Sequence, residues 1–516
     1  MERFVARYGP LVTSILSGFD RLVLRGTLIP LNRERGMQTF LSKARVRLLD
    51  FKGFVLSTSE RVKEAALREI REARRPVRYL ESSHIDKEDL ARQIDAERPV
   101  REGPICALTA VEPCTSFEYH RSQVVTERGL KPRRRKCLHV YQYSRHPTFG
   151  FMNARIQTWF PFNIQICLNG REWLARALQR LGLRFQRIDN CFVRLQDPER
   201  AQRLLDQQLE LDWPRALAKI ARTLNPLHRE IFKPWPMDYY WSVYQSEWAT
   251  DLLFEEPAEL ARLYPLWTRH AMLHFHSPDV MRFLGRKVHG RFLGELTTSF
   301  KDRPEGVRVK HWIAGNSIKI YDKEARILRV ETTIAEPTPF KVFRPLSNDP
   351  GGRRAWRPMR KGIADLHRRA EVSQAANGRY LDALAQIDDD TTLAEIYDQV
   401  AKPVTWHGRR LRAFDIGKPE DVELLQVISR GEFATNGFRN RDLRPRLYDD
   451  ASAPKPIQRR NSARVSRRLR LLRAHGLIQK VPKTHLYRLT QHGQLLAAAV
   501  LAARASSLKK LVGSAA

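Results

Sequence analysis

Acidic, tyrosyl and lysyl side chains recur in short apolar segments between residues 239 and 334, and they are the side chains best able to do chemistry. Glu247 and Asp251 stand close together in an aromatic and apolar stretch. Glu331 stands in the string Leu328-Arg-Val-Glu331. Carboxylates are the ligands that hard divalent cations take in proteins, and a tyrosine hydroxyl can act as a nucleophile. The residue types of this segment therefore suit metal binding and nucleophilic chemistry.

Two apolar strands joined by a short turn are predicted to position part of this set. Alternation along the first strand puts four polar side chains on one face: Ser317, Lys319, Tyr321 and Lys323. Ile318 and Ile320 then occupy the other face. The second strand, residues 328–334, has three polar side chains on one face: Arg329, Glu331 and Thr333. A turn over Glu324–Arg326 makes the two strands a β-hairpin.

The strings Ser317-Ile-Lys-Ile-Tyr-Asp-Lys323 and Leu328-Arg-Val-Glu331 resemble the catalytic domain of rolling-circle replication initiators from plasmids and filamentous phage. The resemblance implies that Glu331, together with Glu247 or Asp251, holds Mg²⁺ or Mn²⁺. Such an ion would polarise a scissile phosphate. The resemblance further implies that two lysines of the hairpin lie against the DNA backbone: Lys319 and Lys323.

The same resemblance implies a tyrosine whose hydroxyl attacks the phosphate and becomes covalently linked to the DNA. Tyr380 lies on a predicted helix, residues 363–387, downstream of the hairpin, where such enzymes often place this residue. Tyr321 on the hairpin is a second candidate. Tyr239 and Tyr240 compete with both.

A His-apolar-His strand usually supplies metal ligands in the same class of initiators. His274-Phe275-His276 matches that pattern by residue type. However, it closes a helical stretch over residues 257–275 and stands directly before Ser277-Pro278, which is typical of a helix start. We interpret the three residues as a helix end.

Non-catalytic interpretations of the acidic residues stay open. Glu247 and Asp251 could lie on the solvent-facing side of a helix. Glu331 could pair with Arg329 or with a neighbouring lysine in a basic sheet that only binds nucleic acid. An Arg–Glu salt bridge needs no catalysis to explain it.

A second catalytic hypothesis uses the N-terminal half of the chain. Strands bearing Asp20 and Glu112 could belong to a ribonuclease H-like core. Cores of that kind collect carboxylates from neighbouring strands around two metal ions. The alternative is that both are ordinary acids at strand ends.

The last hundred residues are predicted to form a winged-helix domain. Helices are expected over residues 419–430, 436–448 and 462–475, followed by two short strands within residues 476–490 and a last helix from about Gln491. A helix about 10–12 Å across fits a major groove about 12 Å wide. The string Leu471-Leu-Arg-Ala-His-Gly-Leu-Ile478 resembles winged-helix domains of MarR-type regulators.

Basic side chains follow the predicted third helix and the wing. We predict that they bind nucleic acid: Arg464, Arg467, Arg468, Arg470, Arg473, Lys480 and Lys483. The alternative is a winged helix that contacts protein or RNA, with its arginines merely solvated.

The composition agrees with a polyanionic partner. The 516 residues include 91 Lys and Arg against 57 Asp and Glu, for a net charge of +34. Basic side chains that neutralise phosphates release counterions, so such an excess favours nucleic acid. No apolar run reaches the length needed to span a bilayer, and the N-terminus lacks the apolar core of a signal peptide.

Several other classes of function are not indicated. The five cysteines contain no Cys-x-x-Cys pair, so we expect reduced thiols in a cytoplasm and no structural zinc. The sequence has no phosphate-binding Gly-x-x-x-x-Gly-Lys-Ser/Thr loop, no Gly-x-Ser-x-Gly elbow and no zinc-protease motif.

We therefore predict an α/β or α+β protein with mixed-sheet N-terminal and central domains followed by a winged helix. The expected parts are an N-terminal α/β region (1–232), a central domain containing the hairpin (233–345), a helical and linker region (346–417) and the winged helix (418–516). The expected function is that of a DNA-binding protein of mobile-element or plasmid type that cleaves a strand with Mg²⁺ or Mn²⁺, as a replication initiator or transposase. A non-enzymatic winged-helix transcriptional regulator and an RNA-binding protein are the alternatives. The whole chain also resembles a widespread bacterial family, and that resemblance implies no activity. We expect a cytoplasmic, nucleoid-associated location in a bacterium.

Overall fold

The computed structural model describes residues 1–82, 84–120, 129–286, 295–303, 306–346, 349, 351–385, 393–429, 433, 437–450, 452–482 and 484–505. Lys483, one of the residues predicted to bind nucleic acid, lies outside them. The chain divides into two compact units, of which the first comprises Met1–Phe275, Val280–Arg286 and Leu296–Ala385. The second unit consists mainly of the chain after residue 385.

The strands are numbered here in chain order. They are β1 Val12–Thr27, β2 Val77–Leu80, β3 Gly103–His120, β4 Gly129–His146, β5 Gly150–Gln157, β6 Ile164–Asn169, β7 Phe185–Ile188, β8 Cys191–Leu195, β9 Tyr240–Phe254, β10 Leu296–Arg303, β11 Gly306–Ile313, β12 Asn316–Lys323, β13 Ile327–Ile334, β14 Lys341–Arg344, β15 Ala355–Pro358, β16 Val404–Trp406, β17 Arg409–Leu411, β18 Ile478–Lys480 and β19 Tyr487–Leu489.

The helices are numbered in the same way. They are α1 Glu2–Tyr8, α2 Glu34–Lys43, α3 Phe51–Glu72, α4 Lys87–Glu97, α5 Gly170–Arg180, α6 Pro198–Asp206, α7 Trp213–Leu224, α8 His228–Ile231, α9 Pro257–His274, α10 Ser277–Phe283, α11 Leu366–Leu384, α12 Leu393–Asp398, α13 Pro419–Ile428, α14 Asn440–Tyr448, α15 Lys455–Ala474 and α16 Gln491–Ala505.

One large mixed sheet organises the first unit. Among the described residues it has eleven strands in the order β10-β11-β12-β13-β9-β1-β6-β5-β4-β3-β2. Neighbouring strands are antiparallel except for β2 and β3, which are parallel. The predicted mixed α/β class is therefore confirmed.

The sheet crosses the domain boundaries predicted from the sequence. Strand β1 pairs with β6 on one side and with β9 on the other. The predicted boundary at residue 233 therefore does not divide two units, because long-range strand pairing joins regions 1–232 and 233–345. The first unit also continues to Ala385, so it takes in half of the predicted linker region 346–417.

The predicted hairpin is present as β12 and β13. Its register pairs Lys319 with Glu331 and Tyr321 with Arg329. The turn is tight, because Glu324 and Ala325 both adopt the left-handed backbone region with φ of 57° and 50°. The lysine, tyrosine, arginine and glutamate side chains share one face, as the alternation predicted.

Helix α11 packs on the opposite face of these strands. The Asn377 side-chain amide donates to the carbonyl oxygens of Trp248 (3.1 Å) and Val330 (3.0 Å). Its oxygen accepts a hydrogen bond from the Thr332 hydroxyl at 2.7 Å. Since Thr332 alternates with Glu331 along β13, α11 and Glu331 lie on different faces of the sheet.

The second unit contains the helices and the hairpin predicted for the C-terminal region. Helices α13, α14 and α15 are followed by the antiparallel pair β18 and β19 and then by α16. Helix α15 begins at Lys455, earlier than the predicted residue 462, because Pro456 stands in the first turn, where proline is tolerated, and no glycine or further proline follows before Ala474. Buried Leu425, Leu443 and Leu472 belong to the apolar core of this unit.

Two general expectations meet different outcomes. No helix among the described residues is both long enough and apolar enough to cross a membrane. The expectation of five reduced cysteines is wrong for Cys114 and Cys137, which form a disulfide between β3 and β4. Antiparallel pairing sets Cys137 opposite Glu112 and Cys114 opposite Arg135. The two cysteines are therefore diagonal neighbours on adjacent strands, and their sulfurs meet.

We expect Asn377→Ala to lower the free energy of unfolding of the first unit by about 2–3 kcal/mol, because buried carbonyl and hydroxyl groups of β9 and β13 lose their partner. Urea unfolding followed by tryptophan fluorescence measures this change, since every tryptophan except Trp406 precedes residue 386. His367→Ala, at an exposed position of the same helix, is the control. Equal stability of the two variants would contradict the role given to Asn377.

Candidate functional site

Three adjacent strands each bring one carboxylate to a single point on the sheet. Asp20 lies on β1, Glu247 on β9 and Glu331 on β13, and oxygens of the three side chains lie within 4.8 Å of one another. A register shift between Phe19 and Arg21 interrupts the pairing of β1 with β9 at Asp20. A bulge of this kind re-aims a side chain, and here it accompanies the turning of Asp20 toward the other two acids.

The carboxylates line a polar cavity of about 220 Å³. Basic and hydroxyl-bearing side chains from β1, α4 and the hairpin complete much of its wall: Arg21, Arg92, Lys319, Tyr321, Lys323 and Arg329. Asp20 and Glu331 are 6% and 2% exposed, so water screens their charges poorly. The cavity thus combines desolvated negative charge with surrounding positive charge.

Lys319 is the nearest cation to the cluster. Its Nζ lies 2.6 Å from Glu331 Oε1 and 4.0 Å from Glu247 Oε2. Arg329 Nη1 lies 3.4 Å from Asp20 Oδ2. The non-catalytic interpretation expected Glu331 to pair with Arg329 or with a nearby lysine, and the lysine is the partner. An ion pair alone, however, does not require two further carboxylates beside it.

Burial and mutual repulsion set the protonation of the cluster. Burial, reinforced by the charges of Glu247 and Asp20 and opposed by Lys319, raises the pKa of Glu331 to about 8. Burial would also raise the pKa of Glu247, but Lys319 and a hydrogen bond with Glu331 outweigh it and hold that pKa below its ordinary value. Burial disfavours the ammonium of Lys319, yet the two glutamates raise its pKa. The cluster therefore retains one carboxyl proton at neutral pH.

The donor set fits a hard divalent cation. Oxygens bound to Mg²⁺ lie about 2.1 Å from the ion, so ligand oxygens lie about 3 to 4 Å from one another. Three carboxylate oxygens within 4.8 Å of one another need only a small contraction to reach that spacing. Asp20, Glu247 and Glu331 would hold the ion, and the retained proton would leave.

Asp251, which was predicted as a metal ligand, belongs to a different interaction. Its carboxylate accepts hydrogen bonds from Arg329 Nε at 2.5 Å and Nη2 at 2.8 Å, and Arg171 Nη2 lies 3.0 Å away. Burial would raise the pKa of Asp251, but the two guanidinium groups hold it below its ordinary value. Two arginines thus bind the Asp251 carboxylate, and its position does not support the prediction that it is a metal ligand.

Lys323 acts on the cluster through Asn190, a residue that the sequence analysis missed. Lys323 Nζ donates to Asn190 Oδ1 at 2.8 Å, and Asn190 Nδ2 donates to both oxygens of Asp20 at 2.8 and 3.0 Å. Asn190 lies in the turn between β7 and β8. The preceding residue, Asp189, adopts the left-handed backbone region with a φ of 48°. The Asp-Asn pair identifies a turn in the sequence, but nothing there indicates that the turn meets Asp20.

The predicted tyrosines occupy very different places. Tyr321 lines the cavity with the carboxylates. Tyr380 is fully buried on the other face of the sheet, where its hydroxyl lies 3.1 Å from His311 Nε2. Burial raises the pKa of Tyr380 well above its ordinary value. Tyr239 donates its hydroxyl to the carbonyl of Phe162 at 3.0 Å, and Tyr240 is exposed. The sheet therefore separates the preferred tyrosine, Tyr380, from the carboxylates.

The remaining candidates divide in the same way. Asp20 of the ribonuclease H-like hypothesis joins the cluster, whereas Glu112 pairs with Arg155 at 2.9 Å and accepts from the Tyr141 hydroxyl at 2.7 Å. His274 ends α9 directly before α10, so the interpretation of the His-Phe-His string as a helix end is confirmed. Glu247 lies on β9, so the alternative of a solvent-facing helix is wrong, because aromatic and β-branched neighbours favour a strand there.

The predicted arginines of the second unit are only partly available. Arg467 and Arg470 are exposed on α15, and Lys480 is exposed on β18. Three others have partners within the unit: Arg464 and Arg468 lie over the ring of Tyr448, Arg468 also pairs with Glu420 at 3.1 Å, and Arg473 lies over the ring of Trp406 at 4.9 Å.

Comparisons with protein-family models, with curated proteins and with solved structures find no match for this chain. The resemblances to replication initiators and to MarR-type regulators therefore stay predictions. The carboxylate cavity and the distribution of charge are therefore the features that bear on the function.

We expect the affinity for Mn²⁺ to rise about tenfold per pH unit as the pH approaches about 8 from below, and then to level off. The pKa of Glu331 is raised, so below that pH the ion must displace a proton. Isothermal titration calorimetry in buffers of different ionisation enthalpy measures both the affinity and the proton released. Glu331→Gln should abolish binding, whereas Asp251→Asn should leave it in place wherever that variant folds. A pH-independent affinity would contradict the proton assignment.

Proposed function

We propose that this protein is a metal-dependent DNA-cleaving protein of mobile-element or plasmid type, as a replication initiator or transposase is. One observation carries the proposal: three neighbouring strands bring Asp20, Glu247 and Glu331 to within 4.8 Å of one another in a polar cavity whose wall also carries five Lys or Arg and two further acids. Buried like charges are costly to assemble, and a bound cation would compensate them in place of the retained proton. The net charge of +34 supports a polyanionic substrate.

The side chains of the cavity divide the work. The three carboxylates would hold Mg²⁺ or Mn²⁺, which supplies Lewis-acid polarisation of a phosphate oxygen when bound. Lys319 and Arg21 would bind the phosphate from the cavity wall, and Lys323 would fix Asp20 through Asn190. Removal of the Glu331 proton would prepare the site for the cation.

Tyr321, which lines the carboxylate cavity, would act as the nucleophile. Its hydroxyl oxygen would form a bond to phosphorus while the bond from phosphorus to the leaving sugar oxygen breaks. The phenolic proton would pass to a cavity carboxylate, and the leaving oxygen would take up a proton from water. The product would be one DNA end linked to the tyrosine and one free hydroxyl end.

The second unit would supply duplex binding as a winged helix. The order of three helices, a two-stranded hairpin and a helix supports this, together with the exposed Arg467 and Arg470 on the third helix. Residues 451–516 include fourteen Lys or Arg and no Asp or Glu. Such a segment favours phosphate contacts over contacts with an ordinary protein surface.

A non-enzymatic winged-helix regulator is the second candidate. The position of Lys319 beside Glu331 and Glu247 favours it, because the ammonium already offsets negative charge in the cluster. In that case the cavity would be a structural charge network. An RNA-binding protein is the third possibility, and the substrates used below separate it from the first two.

We expect Glu331→Gln to reduce cleavage by about 1,000-fold or more, because loss of a ligand removes several kcal/mol of transition-state stabilisation. Single-stranded DNA, duplex DNA and RNA of the same sequence are incubated with the full-length protein and Mn²⁺ and resolved on denaturing gels. Tyr321→Phe should abolish the covalent adduct, whereas the matched Tyr380→Phe should retain it. Duplex binding without cleavage by the wild-type protein would favour the regulator.

We expect Arg467→Ala with Arg470→Ala to reduce the dependence of duplex affinity on salt, lowering the slope of log K against log salt by about 1.8 for two phosphate contacts. Fluorescence anisotropy from about 50 to 200 mM salt measures this slope. Arg222→Ala with Arg229→Ala removes the same charge from exposed positions of the first unit and should leave it unchanged. Equal slopes in both double variants would contradict a specific role for α15.

A further inference from the structure

The hairpin of β14 and β15 exposes two large aromatic side chains. Phe343 and Trp356 stand directly opposite each other, with ring centroids 5.5 Å apart. They are 48% and 58% exposed. Buried Val342 and Met359 anchor the hairpin, so the aromatic pair is held in place on a fixed support.

Positive charge surrounds this aromatic pair. Residues 341–360 contain six Lys or Arg and a single acid, Asp349. The Arg368 guanidinium lies 5.5 Å from the centre of the Trp356 ring and donates to the carbonyl of Lys341 at 2.9 Å. A cation therefore lies over the Trp356 ring itself.

A small basic cavity lies beside the same hairpin. Its volume is about 170 Å³, and it is lined by three arginines together with two prolines and a leucine: Arg344, Arg357, Arg360, Pro345, Pro358 and Leu346. Arg357 and Val342 are cross-strand partners, so Arg357 projects from the face of the hairpin opposite to Phe343 and Trp356. The arginines and the aromatic pair therefore lie on opposite faces of one hairpin, so a single polynucleotide strand would have to pass around it to contact both.

We propose that the β14–β15 hairpin is a binding site for single-stranded nucleic acid. Unpaired bases would stack on Trp356 and Phe343, and adjacent phosphates would contact the arginines of the cavity. Stacking platforms and basic grooves are the two elements that sequence-tolerant binding of single strands requires. In a duplex both faces of each base are already stacked on neighbours, so the platform distinguishes single strands from duplexes.

A second copy of the chain fits this surface less well. Each copy carries a net charge of +34, and the hairpin is one of its basic segments, so two such hairpins repel each other. An apolar protein partner would remove water from the exposed guanidinium groups near the aromatic pair without offering them further acceptors. A polynucleotide supplies π faces and negative charge together.

The proposal goes beyond strand cleavage and does not depend on it. The basic cavity and the carboxylate cavity share no lining residue. Binding of single strands should therefore survive Glu331→Gln and removal of divalent ions. Failure of cleavage and failure of this site are separable results.

The test is binding of a fluorescein-labelled oligothymidylate of about 20 nucleotides to the full-length protein in EDTA, measured by anisotropy. We expect Trp356→Ala and Phe343→Ala each to weaken binding about tenfold, and Trp356→Phe to keep affinity within about threefold. Tyr79→Ala, which removes an aromatic side chain that is 60% exposed on β2, is the matched control and should bind as wild type. Duplex affinity should be unchanged in every variant.

A second measurement covers variants that fold poorly. Stacking on Trp356 should quench tryptophan fluorescence when the oligothymidylate binds, and this quenching should disappear in Trp356→Phe. Wild-type affinity in both folded alanine variants would overturn the proposal. So would a loss of self-association in sedimentation, or of binding to anionic lipid vesicles, without a loss of oligothymidylate binding, because the platform would then serve a protein or lipid contact.

Discussion

Repulsion among buried negative charges is the constraint on which the first unit depends. Asp20, Glu247 and Glu331 lie within 4.8 Å of one another where water cannot screen them. Lys319 offsets part of this repulsion through its ammonium, and a retained proton offsets more. The strands around the cluster carry cations at positions that alternation brings to the same face. The strand register therefore determines which cations offset the charge of the cluster.

A neighbouring pair of charges shows the contrast between a structural acid and an exchangeable one. Asp251 has Arg329 and Arg171 as dedicated partners, and all three side chains are buried. An acid held by two fixed guanidinium groups cannot turn toward a cation. The cluster acids have Lys319, a more distant contact of Asp20 with Arg329 at 3.4 Å, and the neutral amides of Asn190 and Gln245 as partners, which leaves lone pairs for another ligand. The same sheet therefore supports a rigid pair and an adaptable site side by side.

The part of the site that follows from local rules could be predicted from the sequence. Period-two alternation and a short turn gave the β12–β13 hairpin, its shared polar face and the position of Glu331 beside Lys319. The meeting of Asp20 with Glu247 could not be predicted, because it rests on the pairing of β1 with β9 and on an irregularity of register at Asp20. Distance along the chain favours Tyr380 as the nucleophile. The structure places it on the face of the sheet opposite to the carboxylates, so it cannot reach them. The aromatic pair on β14 and β15 could not be predicted, because the prolines, glycines and arginines around it are typical of a linker.

The position of β1 in the sheet has a consequence for synthesis on the ribosome. This strand emerges long before its partner β9, which begins only at Tyr240. At about 5–20 residues per second, the nascent chain waits roughly 10 to 40 seconds with that strand edge open. An apolar strand with an open edge is a template for pairing with another chain. The edge that β1 offers to β9 is therefore the edge of this sheet that would need protection from other chains while the polypeptide grows.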